Sequence, residues 1–406
     1  MNTGIRSFTA YQKRVLGACF AVYFCTYIGR LNMSATLDDI ISSFEGLANA
    51  TGGLLQTLFA VFYALGQLLF GFLADKFEPK RLIMTGLIGS AMANLAFSFM
   101  PSFGLLLAMW TVNGVFQSMI WTPIIICMAH CFEETKRKSA SFVMSFTLAL
   151  GHFAAWGLAM LLSRQFSWRW SYRIPALILL IAACAALVML PGGLRGSSRG
   201  KKSAIAAQPV KTLLGTGLIL MLLCCVLNGF VRDGVVTWAP TILGGKQHTM
   251  LFSLIIPCVN LLGILLGAYL VRHYRGNIRA LTGLMTGFSG IPALIACALG
   301  NMHVAVAAVL LGLMSAVLYG TNPLLTTLTP LEYDAFGRVG LVAGLIDCSI
   351  YLGSALSGTF TGLVSQSAQG WRAVYGLWTI AAFVSCTLAL LAAQKSKALK
   401  RKAQDL

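Results

Sequence analysis

Long apolar segments recur along this chain of 406 residues, and each is close to the length needed to cross a membrane. Apolar residues make up 57% of the sequence and charged residues only 10%. A soluble protein of this size needs more polar surface than that composition supplies. The segments are continuous apolar runs, without the ten-residue alternation of barrel strands, so they predict membrane-spanning helices.

The apolar pattern predicts an all-α polytopic membrane protein with twelve transmembrane helices. Their approximate bounds are 14–37, 52–74, 82–100, 104–131, 139–163, 173–191, 212–242, 250–271, 280–300, 304–331, 340–363 and 373–393. A basic, glycine- and serine-rich segment interrupts the pattern at the middle of the chain. We therefore expect an N-terminal six-helix half over 1–191, a cytoplasmic central linker over 192–211 and a C-terminal six-helix half over 212–406.

The placement of basic residues sets the expected orientation. With an even number of spans both termini lie on one side, and the segments on that side contain 23 of the 30 Lys and Arg residues, against five in the opposite loops. Because Lys- and Arg-rich loops stay in the cytoplasm, we expect cytoplasmic termini in a cell (inner or plasma) membrane. The net charge of +18 then reflects topology and contact with anionic lipid, and not nucleic-acid binding.

The two halves repeat each other. The motif Trp-Arg-x-x-Tyr occurs at 168–172 and again at 371–375, and Arg30 and Arg232 occupy matching places inside two spans. A charge at the centre of a bilayer costs about 2.5–3.5 kcal/mol on insertion scales. Two such charges at equivalent depth indicate a function, and internal repeats of this kind are typical of secondary transporters.

A charged loop motif follows the second span. It matches the pattern Gly-x-x-x-Asp-(Arg/Lys)-x-Gly-x-(Lys/Arg)-(Lys/Arg) at Gly71, Asp75, Lys76, Lys80 and Arg81. This motif resembles the loop motif of the major facilitator superfamily. The resemblance implies the major facilitator fold, with two pseudo-symmetric six-helix halves, and a conformational latch formed by these five residues. The alternative is an ordinary basic loop on the cytoplasmic side.

Three segments resemble a narrower family, the organophosphate:inorganic phosphate antiporters. They are YIGRLN (27–32), VRDGVVTWAPTIL (231–243) and YRGN (274–277). The resemblance implies a transporter that exchanges phosphate esters, such as glycerol phosphate or hexose phosphate, for inorganic phosphate. Leu31 and Gln67 stand where that family often has Lys. The organic part of the substrate and the mode of exchange therefore stay open.

Arg30 and Arg232 are the central candidates for substrate binding. A guanidinium stays charged and presents a planar fork of donors, so one arginine from each half can hold a phosphate by charge-assisted bonds. The alternative is a pair of structural arginines, neutralised by Asp233 and Asp347, the acids well inside the spans.

Helical spacing supplies further candidates, because residues three, four or seven apart share a face. The candidates for substrate binding are Tyr23 and Tyr27 before Arg30, Tyr63 and Gln67 in the second span, Trp121 in the fourth, Asn228 before Arg232, and Tyr351 after Asp347. Each can line a cavity or form a bond between helices, as can the lone amides Asn260 and Asn322. His152, Asp233 and Asp347 are candidates for coupling or charge balance.

The leading hypothesis is a secondary transporter that exchanges an organic phosphate ester or similar anion for inorganic phosphate by rocker-switch alternating access. The alternatives are a proton-coupled symporter of a carboxylate or acidic sugar, and a transporter-like sensor. No nucleophile–base set, phosphate loop or metal cluster points to an enzyme, and no cofactor is expected. The expected partners are a small anion, inorganic phosphate and the lipid bilayer, and the protein is expected to be monomeric.

Overall fold

The computed structural model describes residues 8–73, 77–193, 217–244, 249–274, 276–333 and 339–404. Within these ranges every regular element is helical, and each predicted span coincides with helix. Eleven helices of the described part are long and apolar enough to cross a membrane, and the helix over the third predicted span is not among them. The predicted linker 192–211 lies outside the described residues from 194 onward.

The chain divides into two compact units, Met1–Leu47 with Leu58–Gly200, and Ala48–Thr57 with Lys201–Leu406. The helices over the first half of the chain are α1 (Ala10–Ser42), α2 (Asn49–Gly52), α3 (Leu54–Leu73), α4 (Pro79–Phe97), α5 (Phe103–Ser118), α6 (Trp121–Cys131), α7 (Glu134–Gln165) and α8 (Trp170–Met189). The single turn α2 and the first four residues of α3 therefore belong to the second unit.

The helices over the second half are α9 (Leu218–Ile242), α10 (Thr249–His273), α11 (Ile278–Leu299), α12 (Val304–Pro323), the π-helix Leu324–Leu328, α13 (Thr329–Leu331), α14 (Val339–Ser365) and α15 (Trp371–Gln404). Lipid tails offer no hydrogen bonds, so the backbone of each span must satisfy its own polar groups, which helices do.

Local sequence explains where several helices begin. Thr9 and Gln12 form a capping box at the start of α1, in which each side chain accepts a hydrogen bond from the other residue's backbone N–H at 3.2 Å. Pro79 opens α4, where its missing N–H has no helical partner to lose. The side chain of Asn277 accepts from Arg279 N at 2.9 Å and caps α11.

Prolines interrupt the fourth span of each half. A helical proline clashes with the carbonyl four residues earlier, and four residues before Pro123 the chain leaves helix at Met119, which separates α5 from α6. In the tenth span Pro330 follows the π-helix Leu324–Leu328, and Thr329 Oγ1 donates to Leu324 O at 2.8 Å. π-Helical turns are rare in proteins, and those that occur are often found at functional sites.

Small residues let helices of the second unit approach closely. Gly263 and Gly267 of α10 lie against the backbone of Ala316 and Gly320 in α12, where an added Cβ would clash. Because lipid is as apolar as a leucine side chain, such backbone contacts are a main source of cohesion between spans.

In both units the arginine of the repeated Trp-Arg-x-x-Tyr motif donates hydrogen bonds to backbone carbonyls near the end of another helix. Arg169 Nη1 donates to Ser98 O at 2.8 Å and to Met100 O at 3.1 Å, just beyond the end of α4. Arg372 Nε donates to Cys297 O at 2.9 Å, near the end of α11. The carbonyls at a helix C-terminus lack helical partners and favour a cation. Each motif arginine therefore ties the start of one helix to the end of another.

We expect Arg169→Ala to lower the thermal unfolding temperature of the purified protein more than Arg372→Ala. Arg169 is half-buried, contacts two carbonyls and lies 4.6 Å over the Trp168 ring, whereas Arg372 is exposed and contacts one carbonyl. Hydrogen bonds from charged groups contribute about 1.5–3 kcal/mol when shielded from water. Unfolding in detergent, followed by intrinsic tryptophan fluorescence, provides the measurement. Equal unfolding temperatures for the two variants would contradict this assignment.

Candidate functional site

Arg30 lies on α1 with a half-buried side chain among aromatic rings of its own unit. Its Cζ atom is 4.8 Å from the ring centre of Tyr63, 5.6 Å from that of Phe59 and 5.7 Å from that of Tyr27. A ring face carries partial negative charge and attracts a guanidinium, and more strongly where water is excluded. The rings therefore stabilise this cation inside an apolar span.

The predicted tyrosines of α1 form one cluster with Trp121. The Tyr23 and Tyr27 ring centres are 5.2 Å apart, edge to face, and their hydroxyls are 3.5 Å apart. The Tyr23 ring centre lies 4.4 Å from that of Trp121, at the start of α6. A methyl group at Gly151 of α7 would lie 2.7 Å from Tyr27 Cβ, so glycine is needed for this approach. The structure thus brings three predicted site residues together, and one of them, Tyr27, contacts Arg30.

The predicted residues of the second span bond to each other. Gln67 Nε2 donates to the Tyr63 hydroxyl at 2.9 Å, and Gln67 Oε1 accepts from Thr122 Oγ1 at 3.3 Å. Tyr63 is fully buried, while Gln67 is half-buried. These two hydrogen bonds connect α3 to α6 and hold the Tyr63 ring near Arg30.

A buried amide network, not predicted as part of the site, holds α1 at the position of Arg30. Asn94 and Asn113 each donate to Gly29 O at 3.0 Å, and Gln117 donates to Thr26 O at 3.1 Å. Asn32 donates to Asn94 Oδ1 at 3.0 Å. A carbonyl oxygen has two lone pairs, so Thr26 O can accept the Gln117 amide in addition to a helical N–H, while Gly29 O is shared among several donors. The amides are visible in the sequence, but helical spacing does not connect them with Arg30.

His152 is fully buried on α7. Its ring centre lies 4.2 Å from that of Trp156, edge to face, and Trp156 Nε1 donates to Ser34 Oγ at 2.9 Å. The residue is thus part of the packing between α7 and α1, and a coupling role for it stays a prediction.

Arg232 has different surroundings in the second unit. Its Nε and Nη2 donate to the two carboxylate oxygens of Asp233 at 2.8 and 3.1 Å, and its Nη1 donates to Asn322 Oδ1 at 3.0 Å. The two side chains of the ion pair are 13% and 15% exposed, so the pair is largely removed from water. Asp233 is thus the neutralising acid expected if Arg232 has a structural role. Arg232 keeps two of its five N–H groups outside these bonds.

Asn228 and Asp347 lie close to Arg232. Asn228, one turn earlier on α9, donates to Thr321 Oγ1 at 3.2 Å, next to Asn322. The Arg232 charge interacts electrostatically with Asp347 of α14 and with Tyr351, one turn after Asp347. These predicted residues therefore belong to the part of the second unit that contains Arg232.

The predicted latch is only partly within the described residues. Asp75 and Lys76 lie outside them, and Gly71 lies in the last turn of α3. Lys80 and Arg81 lie in the first turn of α4, where Arg81 Nε is 3.1 Å from Glu78 Oε2. The Arg81 side chain is 81% exposed, so this pair contributes little to stability. The latch stays a prediction.

Arg279 is another buried arginine, and the sequence pattern did not predict it as a site residue. Arg279 is 2% exposed, its Nε donates to Glu332 Oε2 at 2.7 Å, and its Nη2 donates to the Tyr333 hydroxyl at 3.1 Å. The cluster joins the start of α11 to the segment after α13. Within the described ranges no group of three His, Cys, Asp or Glu residues is arranged to hold a metal ion.

The family model described as the Major Facilitator Superfamily matches residues 19–345, which is more than half of the sequence. The chain belongs to the major facilitator superfamily. Membership makes it a multi-pass membrane transporter and not an enzyme, and confirms the major facilitator fold that the loop motif implied.

Individual relatives are distant. Protein spinster of Drosophila melanogaster is 25% identical over 63% of this chain and 46% of its own length, so this chain spans less than half of that protein. Putative glycerol-3-phosphate transporter 2 of Arabidopsis thaliana is 22% identical over 95% of this chain and 87% of its own length.

A solved structure shares the fold of this superfamily member. It is that of a bacterial homologue of the human lysosomal transporter Spinster, in an inward-facing and occupied conformation. It matches with a TM-score of 0.72 and 18% identity over 97% of this chain and 98% of that one.

Replacing Asn94 by leucine should destabilise the first unit. The variant loses the bonds to Gly29 O and Ser90 O and the bond accepted from Asn32. Losing buried hydrogen-bond partners costs about 1–3 kcal/mol. Thermal unfolding of purified protein in detergent gives the measurement, with Asn301→Leu in an exposed loop as the matched control. Equal unfolding temperatures for the two variants would show that the amide network does not hold α1 in place.

Proposed function

We propose that this protein is a secondary transporter of an organic phosphate ester or a similar small anion, which it exchanges for inorganic phosphate by alternating access. The observation that carries the proposal is the pair Arg30 and Arg232, one arginine inside a span of each unit, at matching places in the internal repeat. The Arabidopsis relative that covers most of this chain is named as a putative glycerol-3-phosphate transporter, which supports a phosphate ester.

The surroundings of the two arginines suit anion binding in different ways. Around Arg30 the rings of Tyr27 and Tyr63 stabilise the cation, and a guanidinium forms charge-assisted bonds with an oxyanion. Around Arg232 the carboxylate of Asp233 uses two N–H groups. An arriving phosphate either binds the remaining N–H groups or displaces Asp233.

Exchange follows from the energetics of these charges. A fixed cation in a closed, water-poor site is unfavourable unless an anion accompanies it. If only the anion-bound carrier passes between its two states, an anion must return for each one that leaves. An inorganic phosphate gradient can then drive uptake of the ester.

A proton-coupled symporter is the second candidate. Asp233 and Asp347 place two carboxylates inside spans of one unit, and His152 lies inside a span of the other. Any of these groups can bind and release a proton with the substrate. A carboxylate or an acidic sugar is then the expected cargo.

We further propose that both termini are cytoplasmic, that the host membrane is the cell (inner or plasma) membrane, and that the protein acts as a monomer. The excess of basic residues in alternate loops supports the orientation.

Proteoliposomes separate the two mechanisms. We expect uptake of radiolabelled glycerol 3-phosphate to require inorganic phosphate inside the vesicles and to persist when a protonophore is added. Uptake without internal phosphate that collapses with the proton gradient would assign the protein to the symporter class. Binding of the ester without any flux would indicate a sensor.

In the same assay Arg30→Lys should reduce exchange about 100-fold or more, because an ammonium is a point charge and loses the planar fork. Arg14→Lys provides the matched control, since Arg14 is an exposed residue near the start of the same helix. Correct insertion of both variants is checked by size-exclusion chromatography. Normal exchange by Arg30→Lys would rule out bidentate anion binding at this residue.

A further inference from the structure

The tenth span changes its helical winding directly beside Arg232. The helix α12 ends at Pro323, and the π-helix Leu324–Leu328 follows without a break. Asn322, the residue before the proline, accepts a hydrogen bond from Arg232 Nη1 at 3.0 Å. The irregular backbone and the candidate binding arginine are therefore separated by a single side chain.

Threonine hydroxyls satisfy carbonyls of the irregular backbone. Thr326 Oγ1 donates to Asn322 O at 2.9 Å. Leu324 O accepts from Thr329 N in the π-turn and from Thr329 Oγ1 at 2.8 Å. Proline has no N–H to donate, and inside a membrane such hydroxyls replace bonds lost at a change of winding. The threonines thus lower the free energy needed to change the winding at this place.

Both ends of the segment 322–331, which we call the hinge segment, are held by arginines of other helices. At its start Asn322 is bonded to Arg232 of α9. Just beyond its end Glu332 accepts from Arg279 Nε of α11 at 2.7 Å, and the Arg279 side chain is 3% exposed. The irregular winding lies between these two anchors, so the release of either anchor acts on it.

An anion at Arg232 competes with Asn322 for the same nitrogen. A guanidinium has two edges with parallel N–H groups, Nε with Nη2 and Nη1 with Nη2. The carboxylate of Asp233 occupies the first edge, at 2.8 and 3.1 Å. The second edge includes Nη1, the donor to Asn322. Because an oxyanion carries charge and an amide oxygen does not, the anion is the stronger acceptor.

We infer that the hinge segment responds to anion binding at Arg232, and that Asn322 connects the two. In the ligand-free protein the bond from Arg232 holds Asn322 and the turns after it. An anion on the Nη1–Nη2 edge releases Asn322, and the hinge segment then opens more readily. This inference rests on the proposed function and gives alternating access a backbone step that starts from binding within the second unit.

Amide hydrogen exchange of the purified full chain tests the inference, because it measures how readily a segment opens. Exchange is followed by mass spectrometry of peptides that cover 322–333, with inorganic phosphate as the probe and chloride at equal ionic strength as the reference. We expect phosphate to speed exchange in these peptides about tenfold, the factor typical of one lost charge-assisted hydrogen bond. Peptides from α11 should show no such increase.

Two substitutions of Asn322 should have opposite effects. Asn322→Leu removes the acceptor, so the hinge segment should exchange about tenfold faster without phosphate, and phosphate should add no further increase. Asn322→Asp offers Arg232 a charged acceptor, so exchange should stay slow with and without phosphate. Asn301→Leu, in an exposed loop, should behave as the wild-type protein. If Asn322→Leu does not fold, Asn322→Asp decides the question.

Thermal unfolding of the same samples with phosphate separates this inference from the proposed function. Phosphate that stabilises the wild-type protein but leaves exchange over 322–333 unchanged overturns the hinge and leaves anion binding standing. Absence of stabilisation by both phosphate and glycerol 3-phosphate overturns the proposed function together with the hinge. Slow exchange in Asn322→Leu, or phosphate-stimulated exchange in Asn322→Asp, overturns the role of Asn322.

Discussion

The cost of holding a guanidinium inside an apolar span is the constraint on which the rest of this structure depends. An arginine at such depth persists only where partners in the protein or a ligand compensate its charge. Arg30 is accompanied by the rings of Tyr27, Phe59 and Tyr63, and Arg232 by the carboxylate of Asp233. The surrounding amides and hydroxyls then fix the helices that carry these groups.

The two units stabilise the arginine inside their span in different ways, although their sequences repeat. In the first unit aromatic rings lie around Arg30 and stabilise its cation. In the second unit the carboxylate of Asp233 neutralises Arg232, and Asp347 is a further acid inside a span of the same unit. The internal repeat thus accounts for the matching positions of the arginines, while the residues around Arg232 give the second unit a chemistry of its own.

Properties of single helices could be predicted from the sequence, whereas contacts between helices could not. Apolar runs of about 20 residues have one stable form in lipid, so the spans follow directly. Tyr27 and Tyr23 were found by their helical spacing from Arg30. The bonds of Asn94 and Asn113 to Gly29 O, and of Asn322 to Arg232, depend on how separate helices pack. No periodicity in one helix encodes that information.

The most direct test of the central claim is ligand-dependent thermal unfolding of the purified protein. A ligand that binds only the folded state stabilises it by mass action. We expect inorganic phosphate and glycerol 3-phosphate to raise the unfolding temperature of the wild-type protein with increasing concentration. We expect no such rise for the double variant Arg30→Gln, Arg232→Gln relative to its own ligand-free value. Equal stabilisation of both proteins would contradict the claim that these arginines bind the anion.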